Sequence, residues 1–129
     1  MALTAQQTEK SADRILGQYW TENQEGQIKI YRCDQSYCGQ IVWRKEDRKD
    51  SKNPRPELRD RSVIGIRFLE GFSYNPSKDT WSGGSVYSID NGGHYRGKMW
   101  LENQDQTLKM RGYLGIALIG RTATLQRIN

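Results

Sequence analysis

The sequence predicts an all-β protein, an eight-stranded antiparallel up-and-down barrel with a short helical turn near its N-terminus. About eight segments alternate apolar and polar residues with a period of two, as strands with one buried face do. Turn signals such as Asn91-Gly92-Gly93 separate these segments, and no segment has the pattern of a long helix. Closure of such a meander into a barrel removes the exposed sheet edges that promote aggregation.

A chain of 129 residues is typical of a single domain. Only 35% of the residues are hydrophobic, so we expect the four Trp, seven Tyr and two Phe to supply much of a modest core. We expect a flexible N-terminal segment over residues 1–14 and a barrel over residues 15–129.

The first part of the chain is typical of a meander. Ser11 and Gly17 bracket a single helical turn as its N-cap and its stop signal. A first strand begins at residue 19, residues 27–32 alternate cleanly, and residues 39–44 form the return strand.

Residues 45–62 interrupt this pattern because they are dense in charge and contain two prolines. Long loops in compact domains are often lids or binding loops, so a solvated crossover and a lid both remain open. Strand character resumes over residues 63–74, with Ile64, Ile66 and Phe68 on one face.

Later segments continue the sheet. Gly83 and Gly84 within residues 81–90 suggest a barrel corner, and residues 121–128 close the sheet. Alternation assigns the following side chains to the interior: Tyr95, Gly97, Met99, Leu101, Leu108, Met110 and Gly112.

The formal net charge of +5 can mark a protein that binds nucleic acid or a membrane surface. The charges are nevertheless interleaved, as in residues 44–50, which favours a solvated surface of mixed sign, and we expect no nucleic-acid partner. The longest apolar run, residues 114–119, is far shorter than the roughly 20 residues that span a bilayer. No secretory signal is present in the sequence, and we expect that one precedes the mature start and has been removed.

Cys33 and Cys38 flank a polar turn between two predicted strands, and in a hairpin this spacing brings two side chains within bridging reach. We therefore expect a disulfide, which would persist in an oxidising compartment. The alternatives are two reduced thiols or half of a zinc site, although His94 is the sole histidine and no second cysteine pair exists.

A series of ordered motifs resembles one bacterial family, the domain of unknown function 2147. The motifs include Gly17-Gln18-Tyr19-Trp20-Thr21 and Asn91-Gly92-Gly93-His94-Tyr95. The other matching segments are residues 28–33, 37–43, 50–56, 58–61, 81–87, 108–115 and 120–122. The similarity extends from about residue 15 to residue 127.

The resemblance implies a small exported protein, periplasmic or secreted, with a lipocalin-like (calycin-type) barrel that takes a small apolar or amphipathic molecule. It supplies no reaction. It also implies a closure with Arg127 over the first-strand aromatic, which is Tyr19 where lipocalins have a tryptophan. Leu125 stands where the family usually has Trp, and Ser62 where Pro is usual, and the smaller Leu125 leaves room for a cavity or for a neighbouring side chain.

A ligand-binding barrel is the leading functional hypothesis, because concave apolar sites combine aromatic walls with a few polar groups. The predicted wall residues are Tyr19, Trp43, Phe68, Tyr87, Tyr95, Met99 and Met110. The alternative is that the same residues fill the barrel as a dry core. We expect no cofactor and no metal.

An enzyme is not expected, because a serine or cysteine nucleophile needs an adjacent base and His94 should point outward at a strand start. The other class is an envelope protein–protein interaction module, whose partner is a second copy of the chain or another envelope protein. Its predicted interaction surface contains Asn53, Arg59, Arg61 and Trp100, since Arg and aromatic residues are enriched at interfaces.

Overall fold

The computed structural model describes residues 12–114, 117–118 and 122–129, and these residues form a β-barrel. The strands are β1 (Gly17–Trp20), β2 (Gly26–Cys33), β3 (Ser36–Arg44), β4 (Arg67–Asn75), β5 (Thr80–Tyr87), β6 (His94–Glu102), β7 (Thr107–Leu114), β8 (Ala117–Leu118) and β9 (Ala123–Arg127). Two single 3-10 turns, Glu22–Gln24 and Pro56–Leu58, lie in the β1–β2 and β3–β4 connections.

The sheet closes on itself. Each strand from β1 to β7 pairs with the next in antiparallel register, and β9 pairs with both β7 and β1. The short β8 pairs with the end of β7. The predicted eight-stranded antiparallel barrel is therefore confirmed, with β8 as a short addition beside β7.

The predicted helical turn is not confirmed as an element. Ser11, its expected cap, lies outside the described residues, and of the described residues before β1 only Ala12 and Asp13 have α-helical backbone. Arg14 then forms ion pairs with Asp79 and Asp105. Among the residues described, no helix is long and apolar enough to cross a bilayer.

The predicted start of the fourth strand is wrong. Strand β4 begins at Arg67, because residues 63–66 form a turn in which Gly65 has φ +98° and the Ile66 N–H donates to the Val63 carbonyl. Ile64 is 37% exposed whereas Ile66 is buried, so the two side chains do not share the predicted face.

One end of the barrel is filled and sealed. Tyr19 is fully buried, and its hydroxyl donates to the Ile15 carbonyl at 2.8 Å. The Arg127 guanidinium carbon lies 4.8 Å from the Tyr19 ring centre, and its nitrogens donate to the carbonyls of Leu16 and Asp105. The closure implied by the resemblance is therefore present. Burial raises the pKa of Tyr19 to about 12.

Cys33 and Cys38 form a disulfide with a Cα–Cα distance of 6.0 Å. Cys33 lies opposite Ser36 and Cys38 lies opposite Tyr31, so the bridge runs diagonally across the β2–β3 hairpin. The two cysteines are within the strands themselves, because only two residues form the turn between β2 and β3. The disulfide is as predicted, although the side chains are not directly opposite each other.

Candidate functional site

The barrel contains a cavity of about 540 Å³ at the end where the β5–β6 turn lies. Its position follows from the sizes of the inward-facing side chains. Tyr19, Phe72 and Trp81 are all fully buried in the core cluster of the filled half. Towards the open half the inward positions include Gly112 and Ala123, which are too small to fill the barrel.

The floor of the cavity is the upper surface of the filled core. Ile28, Met110 and Leu125 are at least nine-tenths buried, belong to the core cluster, and also line the cavity. Leu125 thus lies between the filled core and the open cavity. Ile41, Phe68 and further apolar side chains continue the wall upward.

The rim of the cavity is polar and aromatic. The Asn91 Nδ2 donates to the Tyr95 hydroxyl at 2.7 Å, and Asp90 pairs with Arg48 at 2.6 Å. Trp43 is 41% exposed at the rim, and its ring meets that of Trp20 edge to face at 5.9 Å. Apolar depth below a polar rim is the arrangement that holds an apolar or amphipathic molecule.

A buried carboxylate anchors the β3–β4 loop against this wall. Asp50 is fully buried and accepts hydrogen bonds from the Tyr87 hydroxyl at 2.6 Å, the Asn53 Nδ2 at 2.8 Å and the Arg61 Nε at 3.0 Å. Burial acts to raise the pKa of Asp50, but the three hydrogen bonds and the Arg61 charge outweigh burial, so the pKa lies below its ordinary value. Burial and the bond to Asp50 raise the pKa of Tyr87 to about 12.

The same loop supplies a second small core. Val63 is fully buried and packs with Ile41, Ile66 and Tyr87, beside the partly buried Phe68. Most side chains of residues 45–62 are exposed, as in a solvated crossover, but Asp50 and Asn53 are buried. The loop is packed on the barrel through an apolar cluster and a buried hydrogen-bond network.

The structure brings together five of the seven predicted wall residues. Trp43, Phe68, Tyr87, Tyr95 and Met110 line the cavity. Tyr19 and Met99 are instead in the filled half, at 0% and 1% exposure. They face inward as alternation predicts, but alternation does not indicate how far along the barrel axis a residue lies.

Sequence reasoning missed several wall residues that are small or aliphatic, namely Ile28, Ile41, Val86 and Ala123. Two of them, Ile28 and Ile41, lie in segments whose alternation the sequence shows, so the same reasoning could have identified them. Nothing in the sequence indicates that Asp50 is buried, because the Tyr87 hydroxyl that it accepts from lies 37 residues away along the chain.

The predicted interaction residues lie in two places. Asn53 is 5% exposed, Arg59 donates through Nε to the Asn53 carbonyl at 2.8 Å, and Arg61 pairs with Asp50. These three residues hold the loop together. Trp100 lies apart from them on the outer face of β6, where its indole N–H donates to Glu102 at 2.8 Å.

His94 is exposed at the start of β6, with its ring centre 5.1 Å from that of Tyr87. Across the described part of the chain, no three His, Cys, Asp or Glu side chains are placed to hold a metal ion.

Two comparisons with known proteins give matches. A family model described as an uncharacterized protein conserved in bacteria (DUF2147) matches residues 17–127. A solved structure, described as protein HP1028 from the human pathogen Helicobacter pylori, which belongs to the lipocalin family, superposes with a TM-score of 0.76. The alignment has 22% identity and covers 89% of this chain and 83% of that chain, so the likeness concerns the fold. A search of curated proteins finds no match.

Proposed function

This chain belongs to the bacterial DUF2147 family, and from its open cavity we propose that it is a non-catalytic barrel protein that binds one small apolar or amphipathic molecule. The cavity of about 540 Å³ carries this proposal. Small-molecule sites typically have volumes of roughly 300–1,000 Å³ and mostly apolar walls with a few polar groups.

The wall chemistry narrows the class of ligand. An apolar tail would contact Phe68, Met110 and Leu125, and Met offers an adaptable surface for chains of different shape. A polar end would remain at the rim beside Asn91 and Thr21. A small, fully charged molecule would lose its hydration in the lower half without a buried charge to compensate it.

The proposed location is the periplasm or the outside of the cell. The Cys33–Cys38 disulfide supports export, because disulfides persist in oxidising compartments and are rare in the bacterial cytosol.

Substitution of Met110 by Trp tests the proposal, because an indole at the cavity floor would occupy the volume that a ligand needs. Binding is followed by the fluorescence increase of the apolar dye N-phenyl-1-naphthylamine. We expect the wild-type chain to enhance the dye's emission, and Met110→Trp to bind it at least about tenfold more weakly. The matched control is Lys29→Trp, which adds an indole to an exposed position on β2.

Unchanged dye uptake by a folded Met110→Trp protein would contradict a ligand site in this cavity. Native mass spectrometry of protein purified from its own cells then identifies the natural ligand by its added mass. If neither experiment shows binding, the alternative is an envelope interaction module in which the cavity is unused.

A further inference from the structure

The outer surface of β6 and β7 carries four basic side chains in one patch, which we call the β6–β7 basic face: Arg96, Lys98, Lys109 and Arg111. The register places Lys98 directly opposite Arg111, and Lys109 directly opposite Trp100. Like charges that face each other across two strands are locally destabilising.

None of these four cations is in an ion pair with a described residue, whereas Arg14, Arg32, Arg48, Arg55 and Arg61 all are. Lys109 and Arg111 donate to the neutral hydroxyls of Thr124 and Thr122, each at 2.8 Å. The sequences of β6 and β7 contain one acid, Glu102, which lies at the end of β6 and accepts the Trp100 indole N–H.

The flanking strands do not neutralise the face. On β5, Ser82 lies opposite Lys98 and Ser85 lies opposite Arg96. On the other side, the outward positions of β9 alternate with the buried Leu125 and are the neutral residues Thr124 and Gln126. Among the described residues, the acids beside the patch are Glu102 at the end of β6 and Glu70, which lies on β4 beyond Ser85, so the patch itself is positively charged.

We propose that the β6–β7 basic face docks the barrel onto the surface of an anionic lipid bilayer. Clusters of Lys and Arg are attracted to anionic headgroups, and Trp favours the membrane–water interface. Trp100 lies within the face, with the Lys98 ammonium 5.6 Å from its ring centre.

The position of the face on the barrel favours a bilayer over a nucleic acid. Nonspecific nucleic-acid sites are grooves with several exposed aromatic rings on which bases stack. Here the cations lie on the outer wall of a barrel, and Trp100 is the one indole among the described side chains of the face and is already hydrogen bonded. Arg96 follows the cavity-lining Tyr95 in β6, so one end of the face lies beside the cavity wall.

The test is cosedimentation of the full chain with vesicles of phosphatidylcholine alone or mixed with phosphatidylglycerol. We expect binding to the anionic vesicles only. Binding should be lost when salt rises from about 0.1 M to about 1 M, because the Debye length falls from about 10 Å to about 3 Å.

The variant Arg96→Glu/Lys98→Glu changes two exposed side chains of the face. We expect it to bind anionic vesicles at least about 25-fold more weakly, since each basic residue near such a surface strengthens binding about fivefold. The matched control, Lys29→Glu/Lys52→Glu, makes the same change in net charge at exposed positions elsewhere. If the reversed charges prevent folding, Arg96→Gln/Lys98→Gln replaces them, with the same direction expected.

Three outcomes would overturn the proposal. The first is equal loss of binding by the control variant, which would mean that net charge alone acts. The second is no sedimentation with anionic vesicles. The third is binding to a single-stranded oligonucleotide in preference to the vesicles. Met110→Trp should still bind vesicles, so failure of the cavity proposal and failure of the docking proposal are distinguishable.

Discussion

Residue size decides where the barrel interior is filled. Gly97 on β6 and Gly112 on β7 lie directly opposite each other, yet their surroundings differ. A Cβ at Gly97 would lie 2.7 Å from the Phe72 Cζ and 2.6 Å from the Val86 Cγ2. A Cβ at Gly112 would meet nothing closer than the Tyr95 Cβ at 3.6 Å. Gly97 therefore belongs to the packed half and Gly112 to the cavity.

This pair gives a prediction for alanine substitution, measured by urea unfolding. Gly97→Ala should lower the free energy of unfolding by about 1–3 kcal/mol, because the new methyl group overpacks the core against Phe72. Gly112→Ala should leave it unchanged or raise it by up to about 1 kcal/mol, since Ala restricts the unfolded chain. Equal effects at the two positions would contradict the division into a filled and an open half.

At the scale of elements, the buried carboxylate of Asp50 holds the β3–β4 loop to the barrel. The sequence of the loop does not indicate that this carboxylate is buried. Asp50 joins the loop residues Asn53 and Arg61 to Tyr87, the last residue of β5. Tyr87 also lines the cavity, so the loop fixes one part of the wall. The loop is long and charged, and most of its side chains are exposed. The buried network around Asp50 nevertheless fixes it to the barrel, and the pattern of the sequence does not indicate that network.

Asp50→Asn should lower the free energy of unfolding at neutral pH by about 2–3 kcal/mol, because it removes the charge that Arg61 and the Tyr87 hydroxyl stabilise. The pKa of Asp50 is lower in the folded state than its ordinary value of 3.8. The stabilisation is therefore complete above that ordinary value and is lost as pH falls through the lowered pKa.

The measurement is the difference in unfolding free energy between wild type and Asp50→Asn as a function of pH. It should be constant near neutral pH and shrink below about pH 4. Asp90→Asn is the control, because the Asp90 side chain is 81% exposed in its pair with Arg48 and should contribute less than about 1 kcal/mol. If the difference in unfolding free energy between wild type and Asp50→Asn were undiminished at about pH 2, the charge of Asp50 would not be its cause.

At the scale of the whole molecule, one noncovalent and one covalent restraint hold strands together away from the cavity. Arg127 links β9 to the carbonyls of Arg14 and Leu16 at the sealed end. The Cys33–Cys38 disulfide ties β2 to β3. Neither restraint is at the cavity rim, so the open half is free of both.

The disulfide prediction is that purified, oxidised protein shows no thiol reactive to an alkylating reagent after denaturation. Reduction should lower the free energy of unfolding by about 2 kcal/mol, as the chain-entropy model gives for so short a loop. The double variant Cys33→Ser/Cys38→Ser is the control, because reductant should leave its stability unchanged. Two labelled thiols in protein taken from its native compartment would contradict both the bridge and the proposed export.

The sequence by itself determined the strands, their inward faces and the antiparallel order, because each depends on contacts between near neighbours. Period-two alternation placed Tyr95, Met99 and Met110 in the interior, and Asn91-Gly92-Gly93 marked the β5–β6 turn. Alternation failed at Ile64, because Gly65 has a positive φ and residues 63–66 form a turn before β4 begins.

Only the tertiary structure decided what depends on position along the barrel axis and on pairing between distant strands. It separated Met99 in the filled core from Met110 at the cavity floor, although both alternate inward. It brought the Tyr87 hydroxyl, 37 residues away along the chain, into a hydrogen bond with the buried Asp50. It also gathered cations that are spread along the sequence onto one face, because the β6–β7 register sets Lys98 beside Arg111. The physical reason is that periodicity fixes the side of a strand on which a residue lies, whereas packing fixes its neighbours.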